Sequence, residues 1–508
     1  MPEIKEIIDL MNSPSQRDIK LITKAYDFAH NAHKGHTRNS GDPYFVHLFE
    51  TAKTLAELGM GPRTISAGFL HDTIEDTSIT SEKLKSSFGN KILYLVEGVT
   101  KLGSLKYHGT KKHTESLRKL FVATSQDLRV LIIKLADRLH NMKTLEFVPE
   151  NKQKRIALET LEIYAPIADR LGMGQLKGEL EDLAFPFVYP EKYEEVLHLL
   201  KMKSKETLKH LEKIYKSLKK SLAKHDITNI RTEYRMKRLY SLYQKLKHKD
   251  WDIDKIYDIS ALRIITSTVS ECYQILGIIH NNWRPLPGKI KDYISFEKPN
   301  GYQSLHTTVF TGDGGIVEIQ IRTEKMNREA QYGVAAHISY KDYFKSKKIS
   351  PNLLWFKDLL PVMEWGNNSK SAVKKKGPKY TRPTIPQWIQ QIAESQKGVS
   401  GSEEFLDTLR TDFFSYRVFV FTPRGDVVDL PVDSSPVDFA YAIHSDIGDH
   451  ISGTKVNGKL VSLETKLRNG DIVEIMTKES SHPTQKWMNF AKTTIARRHI
   501  KSTLQKNN

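Results

Sequence analysis

Apolar residues recur at three- and four-residue spacing from about residue 15 to 190, as at Leu48, Ala52, Leu55 and Leu58. That period predicts a run of helices with few strands. Residues 191–225 continue it as a basic amphipathic helix. Alternation then takes over: 259–266 (ISALRIIT), 304–310 and 316–322 read as strands, with a helix over 272–281. Thr311-Gly-Asp-Gly-Gly is a turn joining the last two strands. Residues 340–404 mix lysine clusters with Pro, Gly and Ser around short helices, the pattern of a linker. Residues 413–476 break into short strands (RVFVFTPRG, DVVDLP, IVEIMT) at Gly and Pro turns. There is no long internal repeat.

With 508 residues the chain exceeds one core, so two to four domains are expected. No apolar run reaches membrane-span length, and the first ten residues, MPEIKEIIDL, lack the apolar stretch of a signal peptide. Cys272 is the only cysteine, which excludes an intramolecular disulfide and a Cys-built zinc site. A cytoplasmic protein is expected. The net charge of +18 favours a polyanionic partner such as a nucleotide or RNA, although lysine-rich solvated helices also produce such a number. Residues 191–250 carry 17 Lys+Arg against 8 Asp+Glu, about half of the excess.

Candidate chemistry begins in TISAGFLHDTIEDT (64–77), read as one helix that carries His71/Glu75 and Asp72/Asp76 as adjacent stripes. Four ionisable groups on one side repel unless compensated, and a divalent cation supplies that compensation. A second helix, VLIIKLADRLHNMKTL, places Lys134, Asp137, Asn141 and Thr144 on one face and Leu131, Leu135 and Leu139 toward a core. A lone helical histidine is commonly a structural group. The ordered set His47, His71-Asp72, Asp137 is far more specific and resembles the HD phosphohydrolase superfamily.

The resemblance narrows with RNSGDPYFVH (38–47), FLHDTIEDT (69–77), KLADRLHNMKTL (134–145) and RIALETLEIYAPIADRLGM (155–173), which look like the hydrolase half of the Rel/SpoT alarmone enzymes. That resemblance implies one manganese ion on His47, His71, Asp72 and Asp137. It implies Glu75 and Asp76 as the groups that position and deprotonate water, and Arg38, Asn141 and Thr144 as the guanosine pocket. A bound metal lowers the pKa of its water, and an adjacent carboxylate serves as base. Two positions depart from the family: Asn39, where a basic residue is usual, and Leu48, where Pro is common.

In the middle region the alternation of 316–322 puts Ile316, Glu318, Gln320 and Arg322 on one side of a strand. Any half-buried strand alternates. No GxxxxGK[ST] occurs, so a P-loop is excluded. RMKRLYSLYQK (235–245), YDISALRII (257–265), WRPLPGKIKDYISFEKPNGYQSLHTTV (283–309) and EIQIRTEKMNREAQYGVAAH (318–337) closely resemble the alarmone synthetase domain. Carried over, Asp258 and Glu318 hold magnesium, with Glu318 a candidate base for the acceptor 3′-hydroxyl. Arg235 and Arg263 sandwich the adenine of ATP, and Lys237 and Lys245 meet its phosphates. Tyr302 stacks on guanine, with Asn300, Gln303 and His306 nearby. The loop Lys289-Ile-Lys291-Asp292 has the basic character of bifunctional members, with Lys289 in place of the family's Arg.

VFTPRGDVVDLP, SPVDFAYAIHSDIGDH and VNGKLVSLETKLRNGDIVEI resemble a TGS domain, which implies contact with uncharged tRNA on the ribosome through His444. The sequence given stops at Asn508, before the zinc-finger-like and ACT regions of long members. The expected fold is an all-α HD hydrolase domain (1–190), an α+β nucleotidyltransferase-like synthetase domain (191–345), a linker (346–410), a β-grasp TGS domain (411–476) and the start of a helical segment (477–508). The expected function is transfer of pyrophosphate from ATP to GDP or GTP, giving (p)ppGpp, together with its hydrolysis. Two rivals are a catalytically degenerate tRNA- or ribosome-binding regulator, and a generic HD nucleotidase joined to an unrelated nucleotidyltransferase.

Overall fold

The computed structural model describes residues 2–100, 127–298, 300–312, 314–336 and 417–506, so the expected linker lies outside the described residues. The chain divides into two compact units, residues 1–398 and 399–508. No helix among the described residues is long and apolar enough to cross a membrane.

The first unit opens with helices: α1 (Ile4–Asp9), α2 (Gln16–Ala32), α3 (Tyr44–Glu57), α4 (Pro62–Leu70), α5 (Thr73–Asp76), α6 (Ser81–Phe88), α7 (Asn90–Thr100), α8 (Arg129–Lys143) and α9 (Glu150–Glu159). Helix α2 starts where its sequence says it should, with Ser15 and Asp18 forming a reciprocal capping box. The expected single helix over 64–77 is broken. Helix α4 stops at Leu70, and α5 restarts at Thr73. Two contacts mark the break: the Thr100 hydroxyl shares its hydrogen between the Val96 and His71 carbonyls (2.9 and 3.1 Å), and His71 Nδ1 bonds the Gly68 carbonyl (2.8 Å). His71 is thereby withdrawn from the ladder and turned inward. In α8 the expected apolar face holds, with Leu131 and Leu135 fully buried and Leu139 nearly so.

A π-helical turn (Thr160–Tyr164) leads into α10 (Ala165–Arg170), α11 (Gly174–Val188) and α12 (Pro190–Ala223). The basic helix of 191–225 is α12. The stretch from α10 to α12 is nevertheless not one rod, since it breaks at 171–173 and again at Tyr189. At the first break Gly172 has φ +70, and a Cβ there would come within 2.7 Å of the Asn300 carbonyl. The facing Gly333, at φ +53, is as tightly placed against Leu171.

The second half of this unit is a five-stranded mixed sheet in the order β1-β2-β5-β4-β3. Its strands are β1 (Arg231–Met236), β2 (Ser260–Thr266), β3 (Lys291–Asp292), β4 (Leu305–Phe310) and β5 (Ile316–Thr323). Helices α13 (Leu239–Lys247), α14 (Val269–Asn282) and α15 (Glu324–Tyr332) accompany them. Strands β2 and β5 run parallel, and every other pairing is antiparallel. One face is apolar: Leu262, Ile264, Val317, Ile319 and Ile321 pack on Leu211, Ile214 and Leu218 of α12 and on Cys272, Ile275 and Ile279 of α14. The registers Arg235↔Ala261↔Glu318↔Thr308 and Glu233↔Arg263↔Gln320↔His306 put polar residues together on the other face.

The second unit carries a two-stranded sheet, β6 (Arg417–Phe421) with β7 (Val427–Pro431). A three-stranded sheet has the order β10-β8-β9, from β8 (Ile451–Val456), β9 (Lys459–Val461) and β10 (Val473–Thr477). A parallel bridge between Phe421 and Ile472 joins the two sheets. Helices α16 (Pro436–Ile443), α17 (Ser445–Asp449), α18 (Trp487–Phe490) and α19 (Thr494–Lys506) complete it. Buried Asp438 forms the capping box of α16 with Ser435 and accepts from Lys492 N and Thr493 N at 2.8 and 2.7 Å. Trp487, Ala491, Ala496 and Ile500 also pack on Val437, Ala440, Tyr441 and Ile451, so the chain after the sheets is tied down by apolar burial as well as by Asp438.

Candidate active sites

Helices α3, α4 and α8 bring His47, His71 and Asp137 to one buried point, with a ligand atom of each within 4.8 Å of the others. Asp72 Oδ2 joins them, 3.1 Å from His71 Nε2 and 3.5 Å from His47 Nε2. Hydrogen bonding decides which ring nitrogens are free. The Gly68 carbonyl can only accept, so His71 Nδ1 carries the hydrogen and Nε2 faces inward, buried and with no hydrogen-bond partner. His140 is kept neutral: burial, then the charges of His47 and Arg38, push it down to about 3. Arg38 Nη1 lies 3.3 Å from His140 Nδ1, which makes that nitrogen an acceptor. His47 Nδ1 must then donate to it across 2.9 Å, leaving His47 Nε2 free as well. Two imidazole lone pairs and two carboxylates meet at one point, a donor set that fits a divalent cation.

The electrostatics agree. Burial would lower the His71 pKa, but Asp72 and Asp137 outweigh it and hold it up at about 10, so the two carboxylates favour positive charge at this point. Burial would raise Asp137; the Lys134 ammonium, 2.7 Å from Oδ2, and the two histidines keep it well below the usual carboxylate range. Glu75 is exposed at the mouth of the site, and partial desolvation, then the charges of Asp72 and Asp76, push it up to about 7. Arg38, Asn141 and Thr144 come together as expected. Arg38 donates to Asn141 Oδ1 (2.6 Å) and Thr144 Oγ1 (3.5 Å), and Asn141 Nδ2 donates to Asp137 (2.6 Å).

The second site lies on the polar face of the sheet. Lys237 Nζ donates to Asp258 Oδ2 at 2.6 Å, and Lys245 donates to the same oxygen. Burial would raise Asp258, and the two ammonium groups hold it far below its ordinary value. Glu318 accepts from Gln320 Nε2 (2.8 Å) and stands 3.2 Å from His306 Nδ1; these bonds lower it against the pull of burial. His306, itself lowered by burial, meets the Tyr302 hydroxyl through Nε2 at 2.8 Å. Glu318, His306 and Tyr302 thus form one chain of contacts. Arg235 and Arg263 are diagonal neighbours across β1 and β2, a separation of roughly 7–8 Å. The Arg235 guanidinium reaches Gln320 Oε1 (3.4 Å) and that of Arg263 donates to Glu233 (3.0 Å).

A chain 42% identical over 504 residues, covering 99% of this sequence and 67% of its own, is the guanosine-3′,5′-bis(diphosphate) 3′-pyrophosphohydrolase of Aquifex aeolicus. The chain belongs to the RelA/SpoT family. A GTP pyrophosphokinase of Myxococcus xanthus is 42% identical over 96% of this chain and 61% of its own. The bifunctional (p)ppGpp synthase/hydrolase SpoT of Escherichia coli is 39% identical over 96% and 65%. The chain therefore spans about three-fifths to two-thirds of the length of these curated relatives. Family profiles match in the same order: an HD domain at 25–174, a region found in RelA/SpoT proteins at 234–345 and a TGS domain at 418–477.

In this RelA/SpoT chain the remaining candidate residues have surroundings of their own. The Asn300 amide is engaged at both ends: Nδ2 donates to the Asp169 carbonyl on α10 (3.2 Å), and Oδ1 accepts from Tyr302 N. Gln303 donates to the Ile294 carbonyl. Lys289 and Lys291 are exposed, Lys291 in register with His306. The polar side of β5 is covered, with Gln320 and Arg322 at 2% and 3% exposure. Exposed His444 accepts from Asp446 N at the start of α17.

The structure also adds residues. The Tyr44 hydroxyl lies 2.8 Å from Asp72 Oδ2 and 2.6 Å from Asp76 Oδ2, so it shares one hydrogen between them. Lys298 Nζ sits over the rings of Tyr293 (4.7 Å) and Tyr302 (5.1 Å), and burial lowers it to about 8. Both lie inside the quoted motifs, but nothing in their spacing marks them.

Proposed function

We propose that the protein makes (p)ppGpp by moving the pyrophosphoryl group of ATP to the 3′-hydroxyl of GDP or GTP, and hydrolyses it at a separate site. The observation that carries this reading is the presence of both side-chain sets, fully populated, within one compact unit of a RelA/SpoT chain. At the hydrolytic site His47, His71, Asp72 and Asp137 would hold a manganese ion, which when bound supplies a water of lowered pKa and positive charge against phosphate. Arg38, Asn141 and Thr144 receive the guanosine. Glu75 and Asp76 take the proton of the attacking water, and a carboxyl held near pH 7 is suited to that task.

At the other site Asp258 and Glu318 would hold magnesium, which neutralises charge on the triphosphate. Two carboxylates with substrate phosphates are the usual protein share of such a site. Arg235 and Arg263 clasp the adenine, Lys237 and Lys245 the phosphates. Glu318 takes the proton of the acceptor 3′-hydroxyl, and His306 and Gln320 hold it in position for that. Tyr302 stacks on the guanine, with Asn300, Gln303, Lys289 and Lys291 around it. The TGS unit would meet uncharged tRNA on the ribosome through His444, and the protein would work in the cytoplasm.

Incubating the full chain with ATP and labelled GDP, then with labelled product and added manganese, tests this directly. Chromatography should show (p)ppGpp forming in the first case and GDP returning in the second. No product with magnesium and ATP would leave a regulator with degenerate sites, and equal use of ADP as acceptor would leave a generic nucleotidyltransferase.

A further inference from the structure

Arg322 is 3% exposed, and among the described residues no hydrogen bond or ion pair engages its guanidinium; buried Nε has no partner at all. Burying a cation without an anion is unfavourable, so its place in the fold has to be accounted for. Sheet register gives that place. Ile265 is its partner on β2, one row beyond Arg263 and Gln320, and it shares their polar face. The groups whose charges act on it are, largest first, Arg263, Tyr302, Arg235 and Glu233; Ser304, two residues after Tyr302, bonds the carbonyl of the adjacent Ile321. Glu233 is already bonded to Arg263 at 3.0 Å. The protein surrounds this guanidinium mostly with other cations, and the missing partner has to come with the substrate.

We propose that Arg322 reads the acceptor base, presenting its fork to the O6/N7 edge of guanine next to Tyr302. This rests on the reading of the polar sheet face as the synthetase site. Position separates base from phosphate: Arg322 is four residues along β5 from Glu318, roughly 13 Å, and lies at the end of the face away from Asp258, Lys237 and Lys245. Chemistry separates guanine from adenine. Arginine has five donors and no acceptor, guanine offers two acceptors on that edge, and adenine places an amino donor there.

Calorimetry on the full chain with GDP, 7-deaza-GDP and GMP tests the assignment. Wild type should bind 7-deaza-GDP roughly ten- to a hundredfold more weakly than GDP, the range for loss of one arm of a bidentate contact. In Arg322→Ala that gap should close, with GDP falling to the 7-deaza level. Arg322→Lys, which keeps the buried cation and its stem, should behave like the Ala variant and carries the test if the Ala variant does not fold. An unchanged gap in Arg322→Lys overturns the inference. So does a variant that loses the GDP-over-GMP preference, which would assign the group to a phosphate, or one that loses only ATP-analogue binding. Wild type that binds no GDP sinks the synthetase reading itself.

Discussion

His47 and His71 each donate Nδ1–H away from the metal position, to His140 and to the Gly68 carbonyl, and these two bonds aim Nε2 inward. The ligand set and the groups orienting it are therefore separable by mutation. Asp72→Ala or His47→Ala should abolish both manganese binding and (p)ppGpp hydrolysis while leaving synthesis intact. His140→Ala should weaken manganese by about 10–100-fold without removing a ligand, the usual effect of losing an orienting partner. Metal titration and hydrolysis assays read both, and wild-type hydrolysis in Asp72→Ala would refute the metal assignment. In the second site Tyr302→Ala should weaken GDP about tenfold or more through lost stacking, with ATP-analogue affinity unchanged. Normal GDP binding in that variant would require a different guanine pocket.

At the scale of elements, the strongly periodic helices and the three apolar strands were readable from sequence, because burial of one face imposes the period. Strand β1 was not. Its residues RTEYRM are polar on both sides because it is an edge strand with one face over the substrate region, so no alternation survives. The break at His71 was invisible for another reason, since one contact that marks it comes from Thr100, which is 29 residues away in sequence. The candidate ligands His47, His71, Asp72 and Asp137 could be named without this geometry, whereas their tautomers and the contacts of Tyr44 and His140 required it. Helix α11 gives a prediction of its own. Burial, then nearby Asp169 and Asp182, lift Glu181 to about 7, although Lys177 opposes them. A carboxyl raised on folding stabilises the protein fully below its unfolded pKa, near 4.3, and that contribution is lost as pH rises toward 7. Glu181→Gln should therefore be more stable than wild type at pH 8 by about 1–3 kcal/mol, with the difference shrinking toward pH 4. Thermal melts across that range check it; a difference that grows in acid would reverse the sign.

Across the first unit, the helical half and the sheet half touch at the elbow of 171–173. Val334 N donates to the Leu171 carbonyl, and Asn300 reaches Asp169 on the hydrolase side from the loop that leads to Tyr302. With the two proposed activities opposed in one chain, a ligand that favours one arrangement of this contact disfavours the other. GDP with a non-hydrolysable ATP analogue should change the hydrolysis rate severalfold, and Gly172→Ala, which forces the elbow apart, should reduce that response. An unaltered rate at saturation would place control in the TGS unit or outside the chain.

The pairing of β2 with β5 has a consequence for how the protein reaches this state. Parallel neighbours cannot be closed by a tight turn, and the excursion between these two holds α14, β3, β4 and the acceptor loop. Asp258 and Glu318 come to neighbouring strands only after that long loop has closed, and Asp137 likewise reaches His47 and His71 only across a long stretch of chain. Loop-closure entropy delays both pairings. Chain order still separates them: in synthesis from the N-terminus, the elements bearing His47, His71, Asp72 and Asp137 emerge first, so the proposed means to destroy the alarmone would be complete before the proposed means to make it.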